Sequence, residues 1–329
     1  MPAIRVEGLV RRFGDIVALD GLSFEIGEGE LFGILGPNGA GKTTLINILS
    51  TLLRPSAGSA DVAGFSVLDR PDDVRKSIGV VFQESSLDTR LTARENLSLH
   101  AAVYRVPRAE RRQRIADMLA MVELEDRADS LVETFSGGMR RRLELARGFT
   151  HRPRVLFLDE PSLGLDAQTR RRIWEHIDQW NREQATTVIL TTHYMEEADR
   201  LCGRVAILDR GRIAALDSPE RLKALVGGDV VTLETSDKSG ALAAALRQRP
   251  WIKAVRERDG VLDLSTEQGA QRIPAIVSAA QDLGIALASV NLHRPSLEDV
   301  FLHFTGRSMR EESANDLARR FPMGRAGLQ

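Results

Sequence analysis

Nine consecutive residues, GPNGAGKTT from Gly36 to Thr44, constrain this chain more than any other stretch. An apolar run, Leu31 to Leu35, precedes them, and a helical pattern, Leu45-Ile46-Asn47-Ile48-Leu49, follows. Strand, glycine-rich turn and helix are the setting in which G-x-x-x-x-G-K-[ST] denotes a phosphate-binding loop. Gly36, Gly39 and Gly41 let the backbone curl around an anion without Cβ clashes, so that successive N–H groups point inward. A helix beginning near Lys42 adds its positive N-terminal end. Lys42 is expected to reach the β- and γ-phosphates of a nucleoside triphosphate, and the Thr43 hydroxyl to hold Mg²⁺. The intervening Pro37, Asn38 and Ala40, with Thr44, complete the expected nucleotide-binding stretch.

A second chemical signal follows at Val155-Leu156-Phe157-Leu158-Asp159-Glu160, four apolar residues ending in two carboxylates. A buried strand delivers acids at its C-terminal end, where open α/β sheets hold ligands. Asp159 fits a Mg²⁺-side acid, and Glu160 a group that orients or deprotonates the attacking water. Thr187 to Thr192 reads as a further buried strand, and it ends at His193. The other histidines show no metal-ligand spacing. Between these strands, residues 90–150 read as a helical insert, opened by the capping box Thr92-Ala93-Arg94-Glu95. The insert closes at Phe135-Ser136-Gly137-Gly138-Met139, where Ser136 is a good N-cap. The two glycines leave amides uncovered at a positive helix end, a potential second anion site. Near the N-terminus Phe13 lies in a turn region, where it can offer a platform for adenine.

A length of 329 residues suggests two domains, and a hydrophobic fraction of 43% can build a core in each. A net charge of −1 gives no overall pull toward nucleic acid or an anionic membrane. A single cysteine, Cys202, excludes an internal disulfide and a Cys-cluster metal site, and fits a reducing compartment. No apolar run approaches the roughly 18 residues of a spanning helix, and the N-terminus lacks a signal-peptide core. A soluble, cytoplasmic chain is the expectation.

In order and spacing these segments resemble the nucleotide-binding subunit of an ABC transporter over about residues 3–225. The resemblance makes GPNGAGKTT a Walker A loop, Gln83 the Q-loop residue and a metal contact, and Ser136-Gly137-Gly138 the core of the LSGGQ signature. It makes Asp159 the end of Walker B, Glu160 the general base, Asp166 the D-loop acid, His193 the switch histidine and Phe13 the adenine-stacking aromatic. Phe135 and Met139 replace Leu and Gln of the signature consensus. The implied partners are a second ATP-binding subunit, most simply an identical chain, whose signature helix closes over the nucleotide in trans, and a membrane-spanning permease at the cytoplasmic face. Glu84 to Leu99 is the candidate docking surface for that permease. SGGMRRRLELARG, THYMEEADRLC and RPSLEDVFLHFTGR resemble the daunorubicin-resistance type of exporter ATPase. That likeness implies ATP-driven export, Mg²⁺ dependence and a link to antibiotic resistance, without naming a cargo. The alternative is a soluble cassette ATPase acting on nucleic acid or ribosomes. It would need a coiled-coil insertion or a second cassette, and neither occurs. No N-K-x-D segment supports a GTPase, and neither G-x-S-x-G nor H-E-x-x-H occurs.

The expected architecture is thus α/β: a P-loop NTPase core over residues 1–226 with a helical subdomain at about 90–150. Residues 227–307 follow as an accessory or regulatory α+β domain, whose order β-α-β-β-α-β suggests a ferredoxin-like fold. Pro295 is expected to open a last short helix, and residues 308–329 to form a mobile tail.

Overall fold

The computed structural model describes residues 2–226, 228–235, 239–258 and 261–306. Contacts divide the chain into two compact units, the first running to Ser218 and the second starting at Pro219.

The first unit opens with a hairpin of β1 (Ile4–Phe13) and β2 (Ile16–Ile26). Strand β3 (Leu31–Leu35) leads through the glycine-rich loop into helix α1 (Lys42–Leu49). Then come β4 (Ala57–Val62), β5 (Phe65–Ser66), α2 (Pro71–Ser77) and β6 (Ile78–Val81). The insert carries α3 (Ala93–Val103), α4 (Arg108–Met121) and α5 (Gly137–Phe149). The capping box read at Thr92 is present, with the Glu95 amide donating to the Thr92 hydroxyl and the Glu95 carboxylate accepting from the Thr92 amide. The unit finishes with β7 (Val155–Asp159), α6 (Ala167–Gln184), β8 (Thr187–Thr192), α7 (Met195–Leu201), β9 (Arg204–Asp209) and β10 (Arg212–Asp217). The short helices α2 and α7 were not legible as helices in the sequence, since seven residues span only about two turns of pattern.

Two sheets result. An antiparallel one has the order β2-β1-β4-β5, and a six-stranded one the order β10-β9-β3-β8-β7-β6. In the second, β9, β3, β8, β7 and β6 run parallel, and β10 closes the edge antiparallel to β9. Every residue of β3, β7 and β8 is buried, as expected of strands covered on both faces. The core joins Ile4, Val6 and Ile26 of the antiparallel sheet with Ile46 and Leu49 of α1 and Phe157 and Ile189 of the parallel sheet. Register then decides function: Leu35 pairs with Thr192, Asp159 with Thr191 and Val81 with Leu158. The residues that follow these strand ends therefore share the C-terminal edge of the sheet, where such folds bind ligands.

In the second unit α8 (Pro219–Leu225) precedes β11 (Asp229–Thr235), α9 (Ser239–Arg247), β12 (Ile252–Arg258), β13 (Val261–Thr266), α10 (Gly269–Asp282), β14 (Leu287–His293) and α11 (Leu297–Thr305). The sheet order β12-β13-β11-β14, antiparallel throughout, is that of a ferredoxin-like split βαβ fold. Its core is built from Val231, Leu233, Leu242, Leu246, Leu262, Leu264 and Ile276. The division falls at Ser218 instead of 226 because α8 packs against α11 within this unit. The turn expected at 258–260 and the expected tail at 308–329 fall on or run into residues outside those described.

Replacing Ile189, fully buried at the centre of the parallel sheet, by Ala is expected to cost about 2–5 kcal/mol. The shift of the urea unfolding midpoint measures it.

Candidate active site

The phosphate loop is shaped by contacts with distant backbone. The Gly36 amide donates to Thr192 O at 3.3 Å, the Ala40 amide to Pro37 O at 3.2 Å, and the Gly211 amide to Ala40 O at 2.9 Å. Gly39 and Gly41 hold φ of 81° and 108°, which L side chains rarely adopt. A Cβ on Gly41 would lie 2.6 Å from Ala18 O, and one on Gly36 only 2.3 Å from Leu208 O. Pro37 and Ala40 are buried and Asn38 and Gly39 exposed, so the loop's outer rim faces solvent. Helix α1 starts at Lys42 with Gly41 as its N-cap. Thr43 is exposed on its first turn and Thr44 half-buried.

Lys42, only 5% exposed, donates to Gly36 O at 2.7 Å and to Pro37 O at 3.1 Å. Its ammonium also stands 3.2 Å from Glu160 Oε1, while His193 Nδ1 is 3.3 Å from Glu160 Oε2. The His193 contact is close without being an aligned hydrogen bond. Burial lowers the Lys42 pKa, with Glu160 and Asp159 opposing the shift. Burial by itself would raise the Glu160 pKa, but His193 and Lys42 outweigh it and hold the carboxyl below its usual value. The Glu160 amide donates to Thr191 O and Thr191 Oγ1, both at 3.1 Å, and its own φ is +48°. Asp159, 1% exposed, accepts from Thr43 Oγ1 at 3.0 Å and from the Thr191 hydroxyl. A hydroxyl and a carboxylate so placed are hard oxygen donors that fit a magnesium ion. Gln83, exposed just past β6, lines one cavity of about 400 Å³ with Gly137, Arg141 and Glu160.

The remaining expected residues lie on separate elements. Ser136 caps α5 by accepting from the Met139 amide at 3.2 Å, with Ser136 and Gly137 exposed and Phe135 buried beneath. Gly138 permits close packing, since a Cβ there would meet Thr169 Cγ2 at 2.8 Å. Asp166 is occupied as the N-cap of α6, accepting from the amides of Gln168 and Thr169 at 3.0 and 2.9 Å and from the Thr169 hydroxyl at 2.6 Å. Those bonds hold its carboxyl below the usual range. Phe13 ends β1, 44% exposed, with the Arg11 guanidinium 4.4 Å from its ring centre. The structure thus brings Lys42, Thr43, Asp159, Glu160 and His193 into direct contact or one shared network. Two polar residues of the site were missed in the sequence: Thr191, which serves both carboxylate residues, and Arg141, which binds the chain around them. Thr191 carried a weak signal as a polar residue closing an apolar strand; Arg141 was lost among the arginines at 140–142.

A phosphate loop facing an ionised carboxylate at the end of a buried strand two places along the same sheet defines a P-loop nucleoside triphosphatase. Comparison with known proteins narrows this. Residues 19–163 match the ABC transporter family, and residues 218–305 match the C-terminal domain of DrrA1-3-like ATP-binding proteins. The daunorubicin resistance ATP-binding protein DrrA2 of Streptomyces coeruleorubidus is 39% identical, over 96% of this chain and 99% of that protein. The linearmycin resistance ATP-binding protein LnrL of Bacillus subtilis is 36% identical, over 94% of this chain and 100% of that protein. Among solved structures, the dimeric ATP-binding cassette MJ0796 bound to ADP and Pi superposes with a TM-score of 0.60 at 30% identity, covering 65% of this chain and 98% of that one. The chain belongs to the ABC transporter family, as an ATP-binding subunit that hydrolyses ATP.

Because Glu160 has a depressed pKa when folded, its ionisation stabilises the fold above the usual carboxyl value near 4.5 and is lost as pH falls below it. Urea midpoints measured from about pH 6 down to about pH 3.5 are expected to fall more steeply for the wild type than for E160Q. Ala at Gly41 is expected to weaken ATP binding by about tenfold or more, read by nucleotide titration, since φ and space both oppose a Cβ.

Proposed function

We propose that this chain powers export of a drug- or lipid-like cargo through a separate membrane-spanning permease, working as a pair of identical chains with nucleotide held between them. Members of the family work as dimers with separate permease subunits. The names of its relatives support export: besides daunorubicin and linearmycin resistance, one is the Nod factor export ATP-binding protein I of Ralstonia nicotianae, 38% identical over 94% of this chain. No comparison favours the alternative of action on nucleic acid or ribosomes. No helix among the described residues is long and apolar enough to cross a membrane, which fits a peripheral subunit at the cytoplasmic face.

One observation carries the reading: Glu160, ionised and buried, stands between Lys42 and His193 at the edge of the phosphate loop. Lys42 and the loop amides from Gly39 and Gly41 to Thr44 bind the triphosphate, with Phe13 stacking on adenine. Glu160 accepts a hydrogen bond from the attacking water, directing it in line with the γ-phosphate and taking up its proton. His193 keeps the carboxylate oriented. Thr43, Asp159 and Gln83 are the donors for a magnesium ion, which would offset the negative charge on the phosphate oxygens. Ser136, Gly137 and Gly138 present a positive helix end to the nucleotide of the partner chain, and Asp166 fixes the turn beside that helix end. ATP binds the closed pair more tightly than the open one, and hydrolysis removes that preference. The permease docks on the Glu84–Leu99 surface inferred from the sequence. A separate groove of about 340 Å³, lined by Leu52, Arg75, Phe82, His100, Tyr104 and Arg147, shares no residue with that stretch.

E160Q keeps the side-chain shape and removes the base, so turnover is expected to fall by about 100-fold or more while ATP-bound dimers accumulate. Phosphate release and size-exclusion chromatography with ATP read both effects. Wild-type turnover in E160Q would remove Glu160 from this role.

A further inference from the structure

Arg141 lies one turn into α5, the helix whose N-terminus carries Ser136, Gly137 and Gly138, and it is only 8% exposed. A guanidinium has five N–H donors in a fixed plane. All five are used here: Nε donates to Pro161 O at 2.7 Å, Nη1 to Phe82 O at 2.6 Å and Glu144 Oε2 at 2.9 Å, and Nη2 to Asp159 O and Glu160 O, each at 3.1 Å. Glu144, itself buried, neutralises the cation and with its other oxygen accepts from the Ser86 amide at 2.9 Å. One side chain therefore grips three consecutive carbonyls, of Asp159, Glu160 and Pro161, and the carbonyl just before Gln83.

This arrangement exceeds what holding the helix in place requires. Glu160 has a left-handed backbone, φ +48°, in which its amide and carbonyl must both be tied down to fix where the carboxylate points. Thr191 ties the amide side and Arg141 the carbonyl side. The Phe82 bond does the same for the chain leading into Gln83. A small tilt of α5 moves these carbonyls with it, because five short bonds in one plane leave the guanidinium no slack.

We propose that Arg141 is a positioning residue that relays closure of one nucleotide site to the other. The inference rests on the reading that Ser136–Gly138 act on the partner chain's nucleotide. Engagement of that helix end in trans then sets Glu160 and the Gln83 segment in cis, on this chain's own nucleotide. Each site becomes competent for hydrolysis when the other has closed.

The test uses the full chain assembled with its permease in proteoliposomes. R141K retains the charge but offers three donors from a point, which cannot meet five planar acceptors. Its kcat is expected to fall about 10- to 100-fold, with the ATP concentration for half-saturation within about twofold and a lower melting midpoint, because carbonyls that lose a donor stay buried. The E160Q/R141K double variant is expected to trap the ATP-bound dimer as E160Q does. R141Q, uncharged and with two donors, provides a second reading of the same split between kcat and affinity. Wild-type kcat in R141K, or loss of ATP affinity in step with kcat in both variants, overturns the proposal and leaves a purely structural arginine. Absence of a trapped dimer in E160Q alone would instead sink the reading of a nucleotide shared between chains.

Discussion

A buried ion pair between Lys42 and Glu160 is the interaction on which the rest of the site depends. Removing an ammonium and a carboxylate from water costs several kcal/mol for each ion, and their attraction offsets this only when further partners are in place. Here they are: two loop carbonyls accept hydrogen bonds from the ammonium, and His193 approaches the second carboxylate oxygen. The pair is therefore a joint between two strand ends of one sheet. Lys42 belongs to the helix after β3 and Glu160 to the turn after β7, with β8 between them contributing Thr191 and His193. Parallel pairing in register is what brings three strand ends to one place, and the acid and base chemistry follows from that placement.

Those strands were the most legible part of the chain. Leu31–Leu35, Val155–Leu158 and Val188–Leu190 are short apolar runs, the pattern of strands buried on both faces. The phosphate loop was legible because its geometry tolerates few residue types: φ values of 81° and 108° and a Cβ site 2.3 Å from a carbonyl leave glycine as the only fit. The caps at Thr92 and Ser136 were legible for the same reason, since a helix start has a short chemical vocabulary. What the sequence hid was long-range. Arg141 stands between two other arginines, and only the fold shows that Arg140 is not its equivalent. The carboxylate of Asp166 looked like a ligand contact, yet it spends its lone pairs capping α6. The boundary at Ser218 was hidden because the sequence shows a short helix at 218–226 but not that it packs on α11.

The second unit shows how little composition says about role. Its alternating strands and two amphipathic helices specify a split βαβ sheet with a core of its own. Charge and apolar surface on it name no ligand, whereas five of the six buried Lys, Arg, Asp and Glu side chains among the first unit's described residues, Lys42, Arg141, Glu144, Asp159 and Glu160, gather around one end of the parallel sheet. Buried polar groups cost free energy unless they are paired, so their clustering marks where selection has accepted that cost.

The phosphate loop is also stitched to residues made much later in synthesis. Its Gly36 amide binds the Thr192 carbonyl, and its Ala40 carbonyl takes the Gly211 amide, while Gly41 and Gly211 both press against the carbonyl of Ala18. A ribosome must therefore extrude the chain through Gly211 before the cradle can lock. A nascent fragment ending earlier holds every residue of the GPNGAGKTT stretch and still lacks the Gly211 bond that braces it.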